Sequence, residues 1–199
     1  GIPLAGGHSI DCPEPIFGLA VTGRVPLEQL QKNAAAQPGD ILFLTKPLGV
    51  GIITTTQKRG NVDPVHLAAA VHSMQTLNSV GAELSAIPGV HAMTDVTGFG
   101  LMGHLLEMCQ GSNTKAEIYG DQVQPFEGVP QYHAMGMVPG GTHRNFSSYG
   151  HHLDLPSGYL RDLLCDPQTS GGLLVPVAPE HAPVVQRLLA ETGMPDAAI

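Results

Sequence analysis

The sequence predicts an α+β or α/β fold: a C-terminal domain with a mixed β-sheet packed by helices, preceded by terminal strands of a truncated N-terminal α/β domain. Three observations carry that prediction. Apolar runs bounded by Pro or Gly read as buried strands at 16–25, 40–47 and 172–177. Between the last two, apolar residues recur at the helical spacing of three and four. Strands and helices alternate from residue 40 onward, the pattern of helices laid on a sheet. Hydrophobic residues make up 42% of the chain against 13% charged, so a packed core is expected rather than disorder. With 199 residues the chain can hold one large or two small domains.

Ile16 to Val25, bounded by Pro15 and Pro26, reads as a buried strand. With a short strand near Ile2 to Ala5 it forms the tail of a preceding domain, because 27–39 then turns polar. Asp40 to Pro47 is a second strand, ended by Pro47 and the loop Leu48-Gly49-Val50-Gly51, with a helix following through Thr55 to Lys58. Asp63-Pro64 supplies an N-cap and a first-turn proline for a helix with Leu67, Val71, Met74 and Leu77 on one face. Pro88-Gly89 breaks the chain before a short strand at 90–94. Thr97 then caps a helix with the apolar face Phe99, Met102, Leu106, Cys109, ended by Gly111. Lys115 to Tyr119 reads as a further strand. From 121 to 160 the chain is rich in Gly, Pro, Asn, Ser and His, and periodicity says little. Gly172 to Val177 is a strand, and 179–192 a helix closed by Gly193.

Seventeen acidic residues against nine basic ones give a net charge of -8, and the basic residues are scattered singly. That disfavours a nucleic-acid binder, whose affinity needs clustered phosphate contacts. An anionic nucleotide would need backbone N–H groups, a metal or a few placed cations. Cys12, Cys109 and Cys165 are widely spaced and form no CxxC pair, which reads as three structural thiols in a reducing cytoplasm. No apolar stretch approaches the roughly 20 residues that span a membrane, and no basic secretory leader is visible. The opening residues lack an initiator Met and read as mid-chain strand.

Three segments have the residue types for chemistry. In Leu4-Ala5-Gly6-Gly7-His8-Ser9 two glycines follow a strand, and successive N–H groups there can cradle an anion, although a tight turn needs nothing more. In Thr94-Asp95-Val96-Thr97-Gly98-Phe99-Gly100 a carboxylate stands where a strand ends and a helix begins. It can hold Mg²⁺ on a phosphate, or Asp95 or Thr97 can simply cap the helix. Cys165 to Gly172 can present Asp166, Gln168 or Ser170 to a site, or be a turn bonded to its own backbone. The ten histidines do not chelate by spacing: His151-His152 would diverge, and His66 and His72 lie on different sides of a helix. No HExxH, GxxxxGK[ST] or GxGxxG is present, and Gly49-Val50-Gly51 reads as helix entry.

Taken in order and spacing, Leu4 to Asp11, Leu44 to Gly49, Met93 to Gly100, Pro139 to Asn145 and Asp166 to Gly172 resemble the selenophosphate synthetases over essentially the whole chain. These belong to the aminoimidazole ribonucleotide synthetase-like group. The resemblance implies conversion of ATP, selenide and water to selenophosphate, AMP and phosphate, with Mg²⁺ on the nucleotide. It implies Asp95 as a Mg²⁺ ligand, and Gly7, His8 and Ser9 as ATP contacts lent across a homodimer interface, with no membrane and no nucleic-acid partner. It divides the chain into a remnant of the ATP-binding and dimerisation domain (1–26), a linker (27–38) and the C-terminal domain (39–199). The family's reactive Cys or selenocysteine, its neighbouring lysine and further metal-binding aspartates match nothing here. No catalytic residue is therefore assigned, Cys12, Cys109 and Cys165 are expected to be structural, and the fragment alone is expected to be inactive. Another ATP-using member of the group, or an inert dimerisation or nucleotide-binding fragment, are the alternatives. The roles of Asp166, Gln168, Arg144 and Asn145 stay open.

Overall fold

The computed structural model describes residues 3–194. Its centre is a three-stranded sheet in the order β1-β3-β2, formed by β1 (Ile41–Leu44), β2 (Thr94–Asp95) and β3 (Leu173–Val177). Both ladders are antiparallel, with Phe43 opposite Val175 and Asp95 opposite Leu173. Parallel pairing, expected for a mixed sheet, is confined among the described residues to the bridge between Leu48 and Pro125.

Every residue of β3 is buried, because helices cover both faces of the sheet. Side chains alternate between faces along a strand. Leu44 and Leu174 accordingly join one apolar cluster, while Phe43, Leu173, Val175 and Val177 join another. The first cluster takes Ile52 and Ile53 from α1 (Val50–Lys58), Ala70 from α2 (Pro64–Gln75) and Leu101, Leu105 and Met108 from α4 (Gly100–Ser112). The short helices α5 (Val129–Ala134), α6 (Gly140–Tyr149) and α7 (Tyr159–Leu164) close over it. The second takes Val80 and Leu84 from α3 (Val80–Leu84), and Val185 and Leu189 from α8 (Ala182–Glu191). Helices on a sheet are the expected fold class.

Local signals hold where they are strongest. Asp63 Oδ1 accepts from Val65 N at 2.8 Å with Pro64 in the first turn, and Gly49, at φ +116°, is the entry to α1. Of the expected α2 face, Leu67 and Met74 pack on the core, but Leu77 lies past the helix end and is exposed. The buried face of α4 is Leu101, Met102, Leu105 and Met108 rather than one beginning at Phe99, because the helix starts at Gly100 and runs to an Asn113 cap at φ +53°. Residues 115–119 form no strand.

The expected terminal strands are corrected. Residues 16–25 are extended backbone without a ladder, and Phe17, Val21 and Leu19 are 88%, 75% and 67% exposed. The run has the composition of a strand, but a strand forms only when its N–H and C=O groups meet a partner, and none of the described residues supplies one. Ala5 is likewise not in a strand. Ile2 and residues 195–199 lie outside the described residues. Residues 27–38, expected as a linker, dock on the helical body: Met93 N donates to Lys32 O at 3.0 Å, Asn33 Nδ2 to Glu107 Oε1 at 3.1 Å, and Ala36 N to Ser112 Oγ at 3.0 Å.

Candidate functional site

β2 is an outer strand of the sheet and ends at Asp95, whose side chain is exposed. The turn beyond it is anchored at each step. Val96 is wholly buried and donates its N–H to Gly172 O at 2.8 Å. Thr97 N donates to His104 Nε2 at 3.0 Å, and Thr97 Oγ1 stands 3.2 Å from the same nitrogen. An Nε2 that accepts a backbone N–H belongs to a neutral ring. Burial lowers the His104 pKa accordingly, although the negative charges of Asp95 and Glu107 pull the other way. Gly100, at φ +69°, abuts the backbone of Cys165 so closely that no side chain fits.

The cap reading of this motif fails. The N-cap of α4 is Phe99, without a side-chain cap bond, so neither Asp95 nor Thr97 caps the helix. Asp95 instead opens on a cleft of about 610 Å³ between the strand and residues 31–34, lined also by Gln31, Lys32, Asn33 and Thr94. Among the described residues it is the single carboxylate of that lining, and Lys32 its single cation. Among the described residues no group of three or more His, Cys, Asp or Glu could hold a metal. The residues fit a hard cation in part: Asp95 is one oxygen ligand, and the rest of a coordination shell must come from water, phosphate or other protein groups.

Gly7, His8 and Ser9 are exposed, and a side chain at Gly7 would meet nothing within 4 Å. Among the described residues no hydrogen bond joins them to the Asp95 turn, so the fold does not bring these two candidate sites together by direct bonding.

The segment 166–172 has another task. Asp166 is fully buried. Its Oδ2 accepts from Gly51 N at 2.9 Å and from Gln168 Nε2 at 2.9 Å, with Thr142 Oγ1 3.5 Å from Oδ1. Gln168 Oε1 accepts from Val50 N at 3.3 Å. Gly49 has no side chain to cap α1, so these two residues, more than a hundred positions away, satisfy the orphan N–H groups of its first turn. Burial pushes the Asp166 carboxyl up to about 7, even against the pull of Gln168, the Gly51 and Ile52 N–H groups and Thr142. Asn145 is similarly internal, donating to Gly98 O at 2.9 Å and Cys165 O at 3.0 Å, while Arg144 is exposed.

Lys46, within Leu44 to Gly49, was assigned no role by sequence. It is buried and donates to Ser73 O, Thr76 O and Ser170 O at 3.0, 2.7 and 2.8 Å, two of them at the C-terminal end of α2, where a cation is favoured. Burial lowers its pKa. His104 was also missed; its spacing of seven from Thr97 would place it on the helix face that looks back at the turn. The remaining histidines are spread through the fold, His66 on Tyr132 Oη (2.8 Å), His91 on Asp40 (2.8 Å) and His133 on Asp162 (2.9 Å). Cys109 and Cys165 are held up in pKa by burial, in keeping with inert thiols.

The family model described as AIR synthase related protein, C-terminal domain, matches residues 37–199. Over 194 residues the chain is 56% identical to a selenide, water dikinase of Enterobacter sp. (strain 638), covering 98% of this chain and 56% of that protein. It is 57% identical, with the same coverage, to the selenide, water dikinase of Yersinia pseudotuberculosis. The chain thus spans little more than half the length of these relatives. Among solved structures, it superposes on thiamine-monophosphate kinase from Stenotrophomonas maltophilia with a TM-score of 0.58 at 16% identity, over 83% of this chain and 48% of that one. Hydrogenase maturation protein HypE in complex with ATP gives 0.57 at 20% identity, over 85% and 43%. At such identities the likeness is one of fold.

Proposed function

The chain belongs to the AIR synthase related proteins, as their C-terminal domain, and from that premise we propose that it is the C-terminal part of a selenide, water dikinase. The proposed reaction takes ATP, selenide and water to selenophosphate, AMP and phosphate. One observation carries the reading: the likeness to proteins of that name extends over nearly all of this chain at more than half identity. Residues 1–26 would belong to the ATP-binding and dimerisation domain, 27–38 to a linker and 39–199 to the C-terminal domain. The start of the family match at residue 37 supports the last boundary. The unpaired apolar backbone of 16–25 supports the first, since it has the composition of a strand awaiting its sheet.

Phosphoryl transfer asks the protein mainly for positioning and charge neutralisation. Mg²⁺, when bound, would neutralise the phosphates and draw charge from the bond that breaks. Asp95 would supply one oxygen ligand to it. Its exposed carboxylate on a turn locked by Val96, Thr97 and His104 suits that part, because the ligand is presented without being spent on a cap. Gly7, His8 and Ser9 would contact ATP in the partner protomer's site of a homodimer; their exposure, with no hydrogen-bond partner among the described residues, suits that part. The three free thiols suit a reducing cytoplasm. No helix among the described residues is long and apolar enough to cross a membrane.

The test is AMP formation from ATP with selenide and Mg²⁺ by the full-length protein that contains this chain. Asp95→Ala is expected to lower turnover by about 100-fold or more, the size of a lost metal contact to the phosphates. Wild-type turnover in that variant would remove Asp95 from the metal site. AMP formed with other acceptors but not with selenide would move the protein to another ATP-using branch of the family.

A further inference from the structure

Gly111 stands inside α4, which runs on through Ser112 to the Asn113 cap, so this glycine does not end the helix as its sequence position suggested. Glycine is a poor helix former, and here it keeps room for a neighbour: a Cβ at Gly111 would stand 2.7 Å from the Cβ of Ala34. Ala34 belongs to residues 32–36, which are fastened on either side of that contact. Lys32 O accepts from Met93 N at 3.0 Å, Asn33 Nδ2 donates to Glu107 Oε1 at 3.1 Å, and Ala36 N donates to Ser112 Oγ at 3.0 Å. The partners lie on two elements, the approach to β2 and the C-terminal part of α4. Upstream, among the described residues, no hydrogen bond ties 3–31 to the body. Downstream the chain turns through Pro38 and Gly39, the glycine at φ +95°, and is fixed at Asp40, whose carboxylate lies 2.8 Å from His91 Nδ1 and accepts from Gln37 N at 2.8 Å.

We propose that residues 32–36 are a strap that opens and closes as one unit, turning about Pro38-Gly39, and that Gly111 is the seat on which it closes. Three hydrogen bonds hold the strap, one of them between exposed side chains, and Lys32, Ala34 and Ala35 are exposed. Segments held in this way open locally, at a fraction of the cost of global unfolding; β3, buried throughout, is the opposite case. The strap carries Lys32, among the described residues the single cation of the Asp95 cleft. Closed, it walls one side of the cleft and lends it a positive charge. Open, it leaves the Asp95 carboxylate without that cation. A pull on the apolar run 16–25 reaches the body first through the strap, because nothing between them is fastened by a hydrogen bond among the described residues.

The experiment follows native-state amide hydrogen exchange at Met93 and Ala36 in the full-length protein, for wild type, Ser112→Ala and Gly111→Ala, with Tm measured alongside. Ser112→Ala removes the acceptor of the Ala36 N–H alone, yet exchange is expected to quicken about fivefold at both amides, because a unit that loses one latch opens as a whole. Gly111→Ala is expected to quicken both about tenfold or more by crowding Ala34, with a Tm no lower than wild type, since alanine is the better helix former. Faster exchange at Ala36 with Met93 unchanged in Ser112→Ala would overturn the strap as a unit. Exchange at both amides as slow in wild type as in β3 would overturn it too, because the segment would then open only with the whole fold. Wild-type exchange in Gly111→Ala would remove Gly111 as the seat.

Discussion

Asp95 and Asp166 both sit in polar turns beside a strand, Asp95 at the end of β2 and Asp166 ahead of β3, and the two turns are bonded to each other through Thr97 O and Gln168 N. One carboxylate is exposed on a cleft. The other is wholly buried beneath the first turn of α1. In sequence each motif offers a carboxylate either to a site or to its own turn, and the resemblance assigns a role to Asp95 alone. Burial separates them: the carboxylate that faces water is free for a ligand, and the one that faces four donors belongs to the scaffold. Each experiment below asks whether that division holds.

The largest effect is expected from pH. Burial raises Asp166 from its ordinary 3.8 to about 7. Between those values the folded chain keeps a proton that the unfolded chain has released, so stability falls as pH rises through the window and levels off above about 7. The span is on the order of 4 kcal/mol. Asp162 acts in the opposite sense at the acid end: burial would raise its carboxyl, but hydrogen bonds from His133 and Arg161 outweigh it and hold it low. Urea denaturation of wild type and Asp166→Asn at several pH values isolates the Asp166 share. A slope shared by both proteins would show that Asp166 does not titrate in this range.

Removing the carboxylate comes next. Asp166→Ala leaves the Gly51 N–H and the Gln168 amide short of an acceptor in a buried place. A loss of about 3 kcal/mol is expected, best measured near pH 4, at the low end of the window, where the wild-type contribution of Asp166 is at its fullest. A loss below about 1 kcal/mol would mean that water reaches the α1 terminus and that the cap is dispensable.

The same contrast explains what could be read in the sequence. Asp63-Pro64 announced α2 because cap, proline and apolar spacing all lie within one short window. β1 and β3 were legible because their apolar runs are dense and punctuated by Pro or Gly. The helices α5, α6 and α7 were not, since each is only six to ten residues long and is stabilised by packing on the core rather than by its own periodicity. The run at 16–25 has strand composition without a strand's partner. Asp166 could not be assigned because its acceptor role depends on Gly51, 115 residues earlier. The one available signal was indirect: a helix entering through Gly49-Val50-Gly51 has no capping side chain and must borrow one. Asp95 was legible as a candidate from its place between strand and helix, but only exposure distinguishes ligand from cap.

The smallest effect on stability is expected at the residue with the largest effect proposed for chemistry. Asp95 makes no side-chain hydrogen bond or ion pair among the described residues, and β2 is held through the backbone of Thr94, Asp95 and Val96. Asp95→Ala therefore deletes nothing the fold uses, and its unfolding free energy should match wild type within about 0.5 kcal/mol. His104→Ala is the informative partner, because it removes the acceptor of the Thr97 N–H and should cost about 1–2 kcal/mol. If Asp95→Ala proved as costly as His104→Ala, its carboxylate would be supporting the turn. The separation between an exposed ligand and a buried scaffold would then fail where it matters most.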